Sequence, residues 1–394
     1  MNWRWILPFI FGGVVLEVTS RLALLLLNYF GPIEIRTLND IFSEQSSRIE
    51  ELLSRSGEGQ VEIDPSLGWR YRANFKQGGD IINSQRLRSL REYSQVPNAG
   101  VQRIAVFGDS FVYGTEVDTV DSWPSQLETL KPDFEVLNYG VGGYGTDQAY
   151  MRFRAEGFDF SPQVVVMGFQ PVMLRRNTNV YRRFISDREW PLLKPRFRWN
   201  ATSEHSLEMV PLPPNLQEYY RELILHPRKV NELGQDDLSY SPMIYGNPLY
   251  DVFGSVRLAS YFGSQVYQKY LSSERLIEDG LYRQESEAYK VTIQILKEFV
   301  SEVRRKNLHT MIVIFPSLDL LERADMNGKI LYQPLLDDCK DFKLPCFDLL
   351  PEFRKQKSLA GGYAPFFMQG GHYSAHGNGV VASFLKSALA NQVE

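Results

Sequence analysis

One serine in this chain stands where packing gives a hydroxyl no purpose. Residues 103–114 read RIAVFGDSFVYG, so a short apolar run passes straight into Gly-Asp-Ser. A turn calls for Gly and Asp, but not for the hydroxyl of Ser110 at the tip of a buried strand. Such a hydroxyl becomes a nucleophile when a base takes its proton, and histidine is the usual base. His372 fits that role, after two glycines in GGHYSAHGNG and just ahead of an expected helix. Acyl transfer also needs donors aimed at the developing oxyanion. Gly142 and Gly143 in NYGVGGYG (138–145), with the carboxamide of Gln170 in GFQP (168–171), supply candidates. The same glycines let the backbone approach a neighbour closely, and Gly108 should leave space open beside the Ser110 hydroxyl. In RRNTNVYRRF (175–184), Arg175 and Arg176 either clamp an anionic substrate or form a solvated basic loop.

These residues need a frame that brings distant segments together. From 103 onward, apolar runs (RIAVF, FEVLN, QVVVMGF, HTMIVIFP, LPCFDLL) alternate with helical stretches such as TDQAYMRFRAEGF. The clearest helix is ESEAYKVTIQILKEFVSEVRRKN, with Ile293, Leu296, Val300 and Val303 on one face. Ser122 is a candidate N-cap ahead of Pro124. Strands alternating with helices predict an α/β domain whose parallel sheet is covered on both faces. In such sheets ligands sit beyond the carboxyl ends of the strands, where GDS, NYGVGGYG and GFQP fall. Residues from about 185 to 285 break the alternation and read as a capping insertion. Trp69 and Tyr71 in DPSLGWRYRANF read as packing anchors of an extended segment, and RLRSLREY as a basic patch.

Composition narrows the classes. The chain has 394 residues, 43 Lys+Arg against 47 Asp+Glu, and a formal charge of −4. With no long basic run, nucleic-acid binding is not expected. The 24 Phe and 21 Tyr suit a wide core or a cleft for a bulky ligand. The 2 Cys form no metal-ligating pattern, so neither metal nor cofactor is expected. Cys339 and Cys346 read as two buried thiols, with a short bridge as the alternative in an oxidising compartment. Residues 3–30 are nearly all apolar over a length that can span a bilayer. Glu17 and Arg21 interrupt them four apart, close enough to pair on a helix, and Trp3, Trp5, Tyr29 and Phe30 bracket them as interfacial aromatics would. No convincing small-residue cleavage site follows. The division expected is a signal-anchor helix (1–30), a polar, partly helical stalk and extended linker (31–99), and a domain (100–394) placed outside the cytoplasm.

FGDSFVYG resembles the first motif block of the GDSL/SGNH hydrolases, NYGVGGYG the second and GGHYSAHGN the last, in that order over roughly residues 100–394. The resemblance implies a flavodoxin-like three-layer sandwich, with Ser110 as nucleophile and His372 as general base. It also implies an oxyanion hole built from the amides of Ser110 and Gly143. Two departures stand out. The family's third block is Gly-x-Asn-Asp, where this chain has Gly168-Phe169-Gln170-Pro171; a shifted alignment puts Met173 there, and Asn177 is a fallback donor. The last block is normally Asp-x-x-His, but Gln369 lies three before His372, which leaves a Ser–His dyad whose imidazole a backbone carbonyl could orient. The function expected is a membrane-anchored serine ester hydrolase or acyltransferase, acting on an ester, an O-acylated small molecule or a polysaccharide. The departures also fit another class, a degenerate relative that binds a glycan or protein without turnover.

Overall fold

The computed structural model describes residues 3–31, 33–54, 58–202 and 206–393, which form two compact units. One unit comprises Arg55–Thr178, Leu193–Pro214 and Leu276–Glu394 and contains a five-stranded parallel sheet. Its strands are β1 (Gln102–Phe107), β2 (Phe134–Asn138), β3 (Val164–Phe169), β4 (His309–Ile314) and β5 (Cys346–Asp348), in spatial order 2-1-3-4-5. This is the doubly wound, flavodoxin-like order, with its switch point between β1 and β3. β1 to β4 are apolar runs because helices cover both faces and leave no wet side to alternate toward.

Helices Trp123–Leu130 and Ala375–Val393 pack together on one face of the sheet, and Thr146–Glu156 and Glu287–Arg305 on the other. The last of these starts where the Ser286 side chain accepts from the Tyr289 amide. It buries Val291, Ile295, Leu296, Phe299 and Val303, while Ile293 stands half-buried at the edge of that stripe. Truncating Phe299 to Ala there would cost about 3–5 kcal/mol through the cavity left behind. Ser122 occupies the N-cap of the 123–130 helix, but its hydroxyl donates to the Thr119 carbonyl rather than capping. Cys339 and Cys346 are joined in a disulfide, so the expectation of two free thiols is corrected: seven residues close the helix-to-strand turn back on itself.

The other unit comprises Met1–Ser54, Asn179–Leu192 and Asn215–Arg275. It contains α1 (Trp3–Phe30), α2 (Leu38–Ser54), α3 (Leu216–Leu225) and α4 (Gly254–Val266), which a π turn extends through Tyr267–Leu271. α2 is no solvated stalk. Its buried Leu38, Ile41, Phe42, Ile49 and Leu52 form an amphipathic face against α3. Most of the segment expected as a capping insertion therefore groups with the N-terminal helices, while 193–214 and 276–285 group with the sheet. Within α1, Pro8–Phe30 is long and apolar enough to cross a membrane, and Glu17 and Arg21 pair at 2.6 Å as their spacing predicted. Tyr29 and Phe30 are exposed, whereas Trp3 and Trp5 lie outside the residues whose side chains are described.

Candidate active site

At the carboxyl end of β1 the chain turns through Gly108 and Asp109 into a single helical turn, Ser110–Tyr113. Asp109 is its N-cap, accepting from the Phe111 amide at 2.9 Å through one oxygen and from Arg176 Nη1 at 2.9 Å through the other. A Cβ on Gly108 would lie 2.4 Å from a Val112 methyl and 3.0 Å from the Gly168 carbonyl oxygen. The space that Gly108 leaves is thus filled by the Ser110 turn itself, which corrects the reading of an open space beside the hydroxyl. Gly114, at φ +86, ends the turn.

The glycine block after β2 is fixed against this turn. The Asn138 carboxamide donates to the carbonyls of Val112 and Tyr113 and accepts from the Gly140 amide, and the Val141 amide reaches the Gly108 carbonyl at 3.1 Å. From the other side, strand Gly68–Tyr71 braces the block: Trp69 Nε1 donates to the Gly142 carbonyl and Tyr71 Oη accepts from the Gly142 amide. Burial pushes the Tyr71 phenol up to about 12, so it stays neutral at physiological pH. The aromatics expected as packing anchors therefore set the loop that carries Gly143. Gly143 sits at φ +82, a conformation natural to glycine. The Gly142 amide is taken, whereas the amides of Gly143 and Ser110 find no acceptor among the described residues.

His372 reaches this corner from the far end of the chain, its ring centroid 5.4 Å from that of Phe111, the neighbour of Ser110. Its Nδ1 lies 2.7 Å from Oε2 of Glu116, a residue that no sequence motif marks. The Glu116 carboxylate also accepts from the amides of Gly370 (2.8 Å) and His372 (3.1 Å). An ionised carboxylate only accepts, so Nδ1 carries a proton, and in the neutral ring Nε2 presents a lone pair. Burial raises the Glu116 pKa, but the bonds from the His372 ring and the two amides outweigh it and hold the group below its usual value. The imidazole is thus oriented by a carboxylate rather than by a backbone carbonyl, and Gln369 is exposed. Ser110 is buried, and its Oγ forms no hydrogen bond among the described residues, with the imidazole or otherwise.

Glu116 stands at φ +72, a left-handed backbone that costs a non-glycine residue about 1 kcal/mol or more. The loop holding it is clamped by Arg88, 3% exposed, whose guanidinium donates to the carbonyls of Tyr113 (2.7 Å), Gly114 and Val117 (2.5 Å). Arg88 also pairs with Asp80 and stacks on the Tyr113 ring. Part of the expected basic patch is therefore an internal tie.

The remaining candidates divide. Gln170, 4% exposed, uses Oε1 to accept from the Val172 amide at 2.6 Å, while its Nε2 donates to no acceptor among the described residues. Met173 is fully buried, its sulfur near the Gln170 amide. Asn177 is fully buried too, donating to Thr292 at 2.7 Å and accepting weakly from the Asp147 amide, so it is a structural tie and not a fallback donor. Arg176 is spent on Asp109 and the Tyr144 carbonyl. Arg175 is half-buried on the same short helix. In the helical unit, Arg182 and Arg183 are buried and pair with Glu189 and Glu44, so these two do not belong to a solvated basic loop. Among the described residues no acidic, histidine or cysteine cluster could hold a metal ion.

No family model matches the sequence, and no curated protein matches it. Among solved structures the chain is similar to the acetyl xylan esterase AlAXEase, at 11% identity over 73% of this chain and 98% of that one, with a TM-score of 0.36. It is also similar to a member of the lipolytic protein G-D-S-L family from Veillonella parvula DSM 2008, at 9% identity over 72% and 95% with a TM-score of 0.34. A third is LAE5, an alpha/beta hydrolase enzyme from the metagenome of Lake Arreo, Spain, at 10% over 73% and 94% with a TM-score of 0.36. At these scores the likeness adds nothing to what the sheet order already carries.

Proposed function

We propose that this chain, which resembles the GDSL/SGNH hydrolases in the order of its motifs and strands, is a membrane-anchored serine ester hydrolase or acyltransferase working through Ser110, His372 and Glu116. The observation that carries the reading is the 2.7 Å contact between Glu116 and His372 Nδ1, which leaves Nε2 basic beside the Ser110 turn. In this reading Ser110 Oγ attacks the acyl carbon as Nε2 takes its proton, and Glu116 stabilises the imidazolium that forms. The amides of Ser110 and Gly143, with Nε2 of Gln170, receive the oxyanion. The tetrahedral intermediate collapses, the leaving alcohol takes the proton from His372, and an acyl-serine remains. Water, or a second hydroxyl in a transferase, then attacks the acyl carbon as it gives its proton to His372, and that proton passes to Ser110 Oγ as the acyl–serine bond breaks.

The apolar helix Pro8–Phe30 supports an anchored protein, and the Cys339–Cys346 disulfide suits a domain outside the reducing cytoplasm. An O-acylated carbohydrate or cell-envelope polymer is the substrate class that this setting favours. The test is p-nitrophenyl acetate turnover by the full chain, expected in the wild type and lost in Ser110→Ala with the fold intact by circular dichroism. One observation favours a second reading, a binder of a glycan or protein without turnover: Ser110 Oγ is not hydrogen-bonded to the imidazole. No turnover by the folded wild type would favour that binder.

A further inference from the structure

Two charges in the middle of an apolar helix demand partners, because an unpaired charge in hydrocarbon is costly. Glu17 and Arg21 pair with each other, and both also reach one further segment. The Glu17 carboxylate accepts from the Gly254 amide at 2.7 Å, the Ser255 amide at 3.2 Å and the Ser255 hydroxyl at 3.0 Å, and so caps α4. Arg21 Nη2 donates to the Val252 carbonyl at 2.9 Å. A Cβ on Gly254 would stand 2.8 Å from Arg21 Cγ, so the two elements cross closely there. Residues 252–255 thus lie level with the middle of the span Pro8–Phe30.

α4 is patterned inside out. Its fully buried residues are Gly254, Ser260 and Ser264; Val256, Leu258 and Tyr261 are half-buried, and Phe262 (43%) and Val266 (49%) are exposed along with Gln265. Exposure continues along the π turn at Tyr267, Tyr270 (61%) and Leu271 (69%), and precedes the helix at Val252 and Phe253. The neighbouring α2 and α3 do the opposite, burying Leu, Ile, Phe and Tyr side chains. A helix that turns small polar residues inward and aromatic or aliphatic ones outward is patterned for a solvent other than water. α1, which packs against α4, leaves Val18, Leu22 and Leu25 exposed, and a bilayer would cover them too. Lys269, on the exposed face near the C-terminal end, can extend its ammonium to the headgroups.

We propose that residues 249–271 form a second membrane-embedded element, seated on α1 through Glu17 and Arg21, so that the bilayer entered by α1 also covers the outer face of α4. The proposal rests on α1 being an anchor, and the test separates the two. The full chain is placed in phosphatidylcholine/phosphatidylglycerol nanodiscs with single spin labels on Val14→Cys, Phe262→Cys, Val266→Cys and Leu271→Cys. Lys386→Cys serves as the aqueous control, and the native disulfide leaves no competing thiol. At 262 and 266 the ratio of oxygen to nickel-chelate collisions should match that at 14, about tenfold above the control because the bilayer excludes hydrated ions. A lipid-like ratio at 14 with water-like ratios at 262, 266 and 271 overturns the proposal alone. Water-like ratios at all four positions overturn the anchor as well. Labels shielded from both relaxants, with spin–spin broadening, would mean that a second copy of the chain covers α4, which also overturns it.

Discussion

Glu116→Gln removes one charge from the candidate triad and little else. The carboxylate lies 2.7 Å from His372 Nδ1, and each side chain is about a quarter exposed, at 26% and 24%. A unit charge pair about 4 Å apart is worth ~4 kcal/mol at an effective dielectric constant of 20 and ~1 kcal/mol in bulk water. With this exposure, an intermediate value of about 2 kcal/mol fits the carboxylate–imidazolium attraction that develops as Ser110 is deprotonated. Lost only in the transition state, it lowers kcat about thirtyfold and leaves KM nearly unchanged. Glutamine can still accept from the Gly370 amide, so the loop should persist. The assay is p-nitrophenyl ester turnover by the full chain, with thermal unfolding as a control. A Glu116→Gln enzyme within twofold of wild type, when Ser110→Ala is inactive, would refute the reasoning.

Other outcomes follow from the same geometry. Arg88→Met strips donors from the carbonyls of Tyr113, Gly114 and Val117, so it should destabilise the domain by about 3 kcal/mol and lower kcat by releasing Glu116; denaturant unfolding beside turnover reads both. Glu116 is held below its usual pKa, so its stabilising contribution is present above its unfolded value and lost only as pH falls through the lower folded one. Glu116 should therefore stay ionised at and above its unfolded value and add no proton of its own to an acid-side loss of kcat/KM there; a log slope near two in that range would mean that it titrates as well. Cys339→Ser with Cys346→Ser reopens a short loop and should cost about 2 kcal/mol of stability with little change in kcat, read by denaturant unfolding and turnover.

The sheet was legible because its strands are buried on both faces and read as unbroken apolar runs between helical stretches. Ser110, Gly143 and His372 could be singled out as candidates because each sits in a short motif with glycines beside it, and the structure brings their segments to one corner. Glu116 could not, since it lies in an aperiodic loop and meets His372 across more than 250 residues, a contact no local pattern carries. Its one trace is a carboxylate six residues after the serine, just past Gly114. Arg88 misled for a related reason: three arginines in eight residues read as a wet surface, yet one is an internal tie for unpaired carbonyls. Asn177 and Arg176 looked like substrate donors because sequence shows donors without the partners that occupy them. The inverted face of α4 was invisible without burial, because an amphipathic pattern does not say which side is in.

Covalent capture of Ser110 tests the central claim most directly. A fluorophosphonate probe incubated with the folded full chain, followed by peptide mass spectrometry, should place the adduct on Ser110, abolish it in Ser110→Ala and slow it in His372→Ala. Folded wild-type protein that takes up no probe, or takes it up at another residue, would contradict the account.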